Sequence, residues 1–346
     1  MGPVPELDAR ATRCAGRLLD SDGVLLASHI DADGLTSAAI ASTALDRAGL
    51  AHEVVFKKQL DETEIASIAA REQDTVLFTD FGSGQLDVIA DHERAGDFDP
   101  VIADHHQPAD ADTEYHLNPL LEGINGASEL SGAGASYLLA RALAAESGQA
   151  ADNRDLAALA VVGAVGDMQA VEGELVGANR AIVEEGSEAG VVEEATDLAL
   201  YGKQTRPLPK LLEYASEVRV PGITNNESGA VAFLEELPVE LREESDEWRR
   251  WVDLTDDEKQ TVASALLQRA LERGVPPGKA EGLVGTTYTL TDEEPGTTLR
   301  DASEFSTLLN ATARYERADV GLGVCLGDRG DAFERARRLL ENHRRN

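Results

Sequence analysis

Three clusters of acid and histidine arrive in order along the chain: His29-Ile30-Asp31-Ala32-Asp33-Gly34, then Thr79-Asp80-Phe81-Gly82, then Asp104-His105-His106. Carboxylate and imidazole together make ligand sets for Mn²⁺, Mg²⁺ or Zn²⁺. Alternate positions of an extended chain share a face, so His29, Asp31 and Asp33 can offer several ligands at once, and Gly34 lets the backbone turn sharply behind them. Asp80 and Asp104-His105-His106 would approach from neighbouring strands, and Asp167 from a helix end. Carboxylates gathered in this way raise one another's pKa unless cations are present. Two divalent ions bridged by one Asp would resolve that repulsion while activating a water and clamping a phosphoryl oxygen. The implied reaction is metal-assisted phosphoester hydrolysis. Taken singly, each cluster could be a turn, a helix cap or a surface histidine; their order at apparent strand ends is what argues for a site. No serine elbow, and no cysteine with an obvious base, argues for covalent catalysis.

The elements that must position these residues alternate regularly. Apolar, β-branched runs predict strands over 24–29, 52–56, 75–80 and 100–104, with helices over 34–48, 61–72 and 85–94 between them. That alternation predicts an α/β fold, a parallel sheet covered by helices, with the clusters at strand C-termini where open sheets bind ligands. Helices follow over 132–145, 152–165 and 177–189, the second ending at Gly166-Asp167-Met168-Gln169. From about 195 the character changes. Residues 234–273 read as one helix with a dense acidic face, 282–290 as a strand, 300–313 as a helix, 319–326 as a strand and 331–345 as a basic helix. Trp248 and Trp251 read as core or inter-domain anchors. The sequence thus divides into 1–195 as the metal-binding domain, 196–280 as a helical, acidic connecting or inserted region, and 281–346 as the start of a smaller α/β C-terminal region.

Composition describes the solvent more than the chemistry. The 346 residues are 42% hydrophobic, enough for two cores, and carry 64 acidic against 31 basic residues for a net charge of −33. Lysine is confined to Lys57, Lys58, Lys203, Lys210, Lys259 and Lys279. This is the balance of a halophilic cytosolic protein. At molar salt the Debye length falls to about 3 Å, so such acidity does not argue against a nucleic-acid substrate. Regular apolar runs exclude a disordered acidic chain. Cys14 and Cys325 match no metal spacing and read as reduced thiols. No signal peptide or membrane span is evident, and a cytoplasmic location without membrane partners is the expectation.

His29-x-Asp31-x-Asp33-Gly34, Asp80-x-Gly82, Asp104-His105-His106 and Gly166-Asp167-x-Gln169 together resemble the four ordered motifs of the DHH phosphoesterase superfamily. The stretch Arg300-Asp301-Ala302-Ser303-Glu304-Phe305, continuing through Asn310-Ala311 to Gly321-Leu322-Gly323, is similar to the archaeal RecJ-like branch, which includes the GINS-associated nuclease. The resemblance implies that His29, Asp31 and Asp80 hold one Mn²⁺ and that Asp33, Asp80, His105 and Asp167 hold the other, Asp80 bridging, with Mg²⁺ as the alternative metal. It implies that Asp104 orients His105 from behind, and that His106 donates to the scissile phosphate. The implied activity is a single-strand exonuclease on DNA or RNA in replication or repair, with GINS-like replication proteins as candidate partners.

One departure stands out. Superfamily members carry a C-terminal Gly-Gly-Gly-His run that contacts the substrate, and none occurs here; the basic helix at the end lacks a stop signal, so a cut-short C-terminal domain is expected. For substrate contact, Lys57 and Lys58 lie near the sheet's C-terminal edge, and Arg300 and Arg314, with Arg317, are candidates for the nucleic-acid backbone. Two alternatives are a phosphodiesterase for oligonucleotides or cyclic dinucleotides, and a non-catalytic replication scaffold like the eukaryotic RecJ-related helicase subunit.

Overall fold

Three of the first strands carry apolar runs continuous enough to be buried on both faces, and the fourth, at the sheet edge, is only partly buried. The computed structural model, which describes residues 2–345, places them as β1 (Val24–His29), β2 (His52–Lys57), β3 (Thr75–Thr79) and β4 (Asp99–Ala103), joined by a short β5 (His116–Leu117). The sheet is wholly parallel with the order β2-β1-β3-β4-β5. Strand order reverses between β1 and β3, which opens a crevice beyond their C-terminal ends. Register matters most here. Ser28 pairs with Thr79, and Thr79 with Ala103, so His29, Asp80 and Asp104 all stand one step past a common row.

Helices α1 (Asp8–Leu19), α2 (Ala32–Arg47), α3 (Glu62–Ala69) and α4 (Leu86–Ala95) cover the sheet. Alternation along β1 assigns the faces. Leu25 and Ala27, with Val76, Phe78 and Ile102, meet Ile65, Ile68, Leu86 and Ile89 of α3 and α4. The opposite face receives α2 and α5 (Gly132–Ser147), with α6 (Ala157–Gly166) and α7 (Gly177–Glu188) packed outside them. Small residues let these helices approach closely: a Cβ on Gly163 would lie 2.4 Å from the Ala133 Cβ and 2.5 Å from Asp33 Oδ1.

The chain divides into two compact units. One takes the residues up to Val192 together with the stretch from Ser306 onward; the other is Glu193–Phe305. The second unit pairs β6 (Val192–Leu198) with β7 (Val284–Leu290) and adds α8 (Leu208–Glu213), α9 (Glu227–Glu235), α10 (Asp256–Glu272) and α11 (Pro277–Ala280). Leu198, Leu208, Leu211, Phe233, Trp251 and Leu266 belong to its separate core. Three further helices, α12 (Ala302–Arg314), α13 (Ala318–Cys325) and α14 (Asp331–Arg345), complete the chain. Residues 281–346 therefore do not stay together. Those from 306 onward pack with the first unit, where α13 meets α2 and Asn310 Oδ1 accepts the Ala32 N–H at 3.0 Å.

Two other expectations change. The helix expected over 234–273 is broken: α9 stops at Glu235, Pro238 cannot sit inside a helix, and α10 restarts behind a Thr255–Glu258 capping box. The strand expected over 319–326 is α13, whose buried Ala318, Val320, Gly321, Val324 and Cys325 lie at helical spacing. A short apolar run does not by itself distinguish the two periods. Among the described residues no helix is long and apolar enough to cross a membrane.

Candidate metal centre

The first motif turns from strand into helix within three residues. Asp31 caps α2, its Oδ1 accepting the Gly34 N–H at 2.9 Å, while its Oδ2 stands 3.1 Å from His29 Nδ1. Gly34 is required by proximity, since a Cβ there would lie 2.3 Å from the His29 carbonyl oxygen. From β3, Asp80 brings its Oδ2 to 3.6 Å from the same His29 nitrogen. Asp80 is buried and holds a φ of 58°, a left-handed conformation that Asp tolerates better than most residues.

Asp33 sits in the first turn of α2 but is held by another helix. Its two oxygens accept the Gly132 N–H at 2.7 Å and the Ala133 N–H at 2.9 Å, the free donors at the N-terminus of α5. Against it lies His105. The Nδ1–H of that ring donates to the Gly126 carbonyl at 2.6 Å, which turns Nε2 toward the carboxylates. Nε2 is buried without a hydrogen bond and faces Asp80 Oδ1 at 3.3 Å, Asp33 Oδ2 at 3.7 Å and Asp167 Oδ2 at 3.8 Å. Gln169 fixes Asp167 from the side, donating to its Oδ2 at 2.9 Å and to the Gly126 carbonyl at 2.9 Å, and Asn179 orients the Gln169 amide at 2.6 Å.

Asp104 takes a different part from the one the resemblance implies. Its Oδ1 accepts the ring Nδ1–H of His106 at 2.8 Å and the backbone N–H of His105 at 2.8 Å, and its Oδ2 accepts the Ser83 N–H at 2.9 Å. The ring that Asp104 orients is therefore that of His106; the Gly126 carbonyl performs that service for His105. The physical reason is strand direction: Asp104 points back toward Ser83, under the ring that follows by two positions. His106, with its side chain 56% exposed, keeps Nε2 free toward the crevice.

Electrostatics in this cluster are those of a site built for cations. Burial raises Asp33 well above the usual carboxylate range, reinforced by the charge of Asp80, and burial likewise raises Asp167. Burial opposes charge on Asp80 too, but the His105 and His29 rings hold its carboxyl low. Burial disfavours charge on the two imidazoles, yet Asp31 and Asp80 push His29 up to about 10, and Asp80 and Asp33 push His105 up to about 11. Asp104 is lowered despite its burial, by His106 and the Ser83 N–H, and the hydrogen bond that His106 donates to Asp104 in turn raises His106. Protons thus occupy ring nitrogens that carboxylates surround. The donor set fits hard or borderline divalent ions: His29, Asp31 and Asp80 converge in one group, and Asp33, His105 and Asp167 in another, with ligand atoms within 4.8 Å of each other in each.

Of the expected substrate contacts, Lys58 lines the crevice, a cavity of about 480 Å³ that His29, Asp31, Asp80, His106 and Asp167 also border. Lys57 does not line it and is ion-paired with Glu64. Arg300 lies in the second unit, its Nη1 donating to the Thr291 and Glu293 carbonyls. Arg314 is exposed at the end of α12, in the stretch that returns to the first unit, and Arg317 pairs with Asp319. Sequence reasoning missed Gly126, Asn179 and the supporting role of Ser83. A Ser131-Gly132 helix start is readable as a cap, but nothing in the sequence names Asp33 as its guest.

A parallel sheet of this order with its acid and histidine cluster at the β1/β3 crevice defines a class, and the family models agree. Residues 23–164 match the DHH family, N-terminal domain, and residues 200–284 match the DHH-CID domain. An uncharacterized protein of Methanocaldococcus jannaschii is 29% identical over 309 residues, 87% of this chain; the chain spans 63% of that relative's length. Among solved structures, exonuclease RecJ bound to manganese is 19% identical with a TM-score of 0.54, covering 100% of this chain and 66% of its own. RecJ of Thermus thermophilus in complex with Mn²⁺ is 19% identical with a TM-score of 0.52, covering 99% of this chain and 37% of its own. Cdc45 of Entamoeba histolytica is 13% identical with a TM-score of 0.67, covering 100% of this chain and 72% of its own. The fold is that of RecJ and Cdc45.

Proposed function

We propose that this chain is a RecJ-like phosphodiesterase that removes nucleotides from an end of single-stranded DNA or RNA, with two divalent ions, Mn²⁺ ahead of Mg²⁺, as resident metals. The observation that carries the reading is His105 Nε2, buried without a hydrogen bond and aimed into three carboxylates. A structural histidine would be satisfied there. His29, Asp31 and Asp80 would hold one ion, and Asp33, Asp80, His105 and Asp167 the other. Bound there, the ions would supply an activated water and neutralise charge on the phosphoryl oxygens.

The remaining work falls to the chain's own groups. His106, aimed by Asp104 and raised by it toward the charged form, donates from Nε2 to a non-bridging phosphate oxygen, where negative charge grows as the bond to the leaving oxygen lengthens. Asp104 is a positioning residue. Lys58 borders the same cavity and meets the incoming phosphates. That exonuclease RecJ is a manganese-bound protein of the same fold supports the choice of metal and reaction. GINS-like replication proteins are the partners this reading proposes.

A second reading, a non-catalytic replication scaffold, draws support from the higher TM-score to Cdc45. The experiment that separates them measures Mn²⁺-dependent hydrolysis of a long 5′-labelled single strand against a dinucleotide. The expected result is cleavage of the long strand, lost in Asp80→Asn. Preference for the dinucleotide would make the chain an oligonucleotide phosphodiesterase, and metal binding without hydrolysis of either would favour the scaffold.

A further inference from the structure

The second unit encloses a cavity of about 640 Å³ that the metal centre does not use. Three cations from separate segments face it: Lys203, Lys259 on α10, and Arg300. In a chain of net charge −33 with few lysines, two of them on one cavity run against the composition. Each is held differently. Lys203, 5% exposed, lies 3.2 Å from Asp197 Oδ2 and 3.7 Å from Asp301 Oδ2, and Asp197 also accepts the Trp251 indole N–H at 3.0 Å. Its charge is spent inside the wall. Arg300 is braced through Nη1 by the Thr291 and Glu293 carbonyls, and its Nε and Nη2 meet no partner among the described residues. Lys259, half-buried, makes no ion pair among the described residues.

Two cationic donors are therefore left with unspent hydrogen bonds over one cavity, whose volume falls in the range of small-molecule sites. Guanidinium and ammonium side by side suit phosphate oxygens. Two carboxylates, Glu193 and Asp256, stand at the exposed rim and disfavour a bare inorganic anion, whereas the wall of Trp251, Leu198 and Val284 suits a flat apolar body. We propose that the second unit binds a nucleotide, a nucleoside diphosphate or triphosphate, with its phosphates on Arg300 and Lys259. This site is independent of the reaction proposed for the first unit.

The test is calorimetric titration of the whole chain with ADP, inorganic pyrophosphate and adenosine, in EDTA so that no metal bridges phosphate to the other centre. ADP is expected to bind, more tightly than pyrophosphate or adenosine. Loss of one charge-assisted contact should weaken it by about tenfold or more in Arg300→Ala and in Lys259→Ala, the latter at a half-buried helix position where Ala keeps helix propensity. Asp80→Asn should leave ADP binding unchanged. The inference is overturned if ADP does not bind, if its affinity survives both substitutions, if Asp80→Asn removes it, or if pyrophosphate binds as tightly as ADP.

Discussion

His105 and His106 are neighbours with opposite assignments, and the difference lies in what holds each Nδ1. A backbone carbonyl holds the His105 ring with Nε2 toward the metal-binding carboxylates, whereas a buried carboxylate holds the His106 ring with Nε2 toward the crevice. Before metal binds, His29 is charged up to about 10 and His105 up to about 11. Metal must displace those protons. Mn²⁺ affinity should therefore climb as pH rises from 6 to 9, by up to about tenfold per pH unit for each proton released. Calorimetry in two buffers of different ionisation enthalpy counts the protons; an affinity flat with pH would remove both imidazoles from the ligand set. The linked stability has the opposite sign. In the metal-free chain the charged rings stabilise fully below about 6.5, and that contribution disappears as pH rises through about 10, so melting should fall on the alkaline side unless Mn²⁺ is present. His106→Gln should keep metal binding and lower kcat, and Asp104→Asn should shift the acidic-to-neutral pH profile of kcat because His106 loses the partner that raises its pKa.

At the scale of elements, the centre is a consequence of register and of one close helix end. The row Ser28, Thr79 and Ala103 lines up three strand ends, and α5 delivers its free N–H groups to Asp33. Gly132 is where the two meet: a Cβ there would lie 2.5 Å from Asp80 Oδ1 and 2.9 Å from the Asp80 Cα. Gly132→Ala should cost about 1–3 kcal/mol of stability by overpacking and reduce Mn²⁺ stoichiometry below two, measured by thermal melting and metal analysis. The β-α alternation over 24–104 was legible because long apolar periods repeat there. The break at Pro238 was legible in principle and was overridden by the acidic helical pattern on either side. Residues 319–326 were not legible, since eight mostly apolar residues satisfy either period until packing against α2 chooses.

For the whole molecule, the acidity and the two units lead to separate expectations. With a net charge of −33, self-repulsion should ease as salt rises, and melting temperature should increase from dilute to molar KCl; a flat response would remove the halophilic reading. Within the second unit, burial raises Glu304 from 4.5 to about 7, against the pull of hydrogen bonds from Thr205 and the Gln204 N–H. The folded state therefore prefers this carboxyl protonated. Its contribution is intact below about 4.5 and is lost as pH rises to about 7, so Glu304→Gln should stabilise the chain at pH 8 by on the order of 3 kcal/mol and change little at pH 4.5.

By itself the sequence determined the parallel sheet, the order of its ligand clusters and the strand ends that bear them, because those depend on local period and on residue type. Tertiary structure decided which ring Asp104 orients, that Gly126 sets the His105 tautomer, that Lys57 is ion-paired with Glu64, and that residues from 306 onward return to the first unit. Each of these is a contact between segments far apart in the chain, and local pattern carries no information about partners that only folding brings within hydrogen-bond reach.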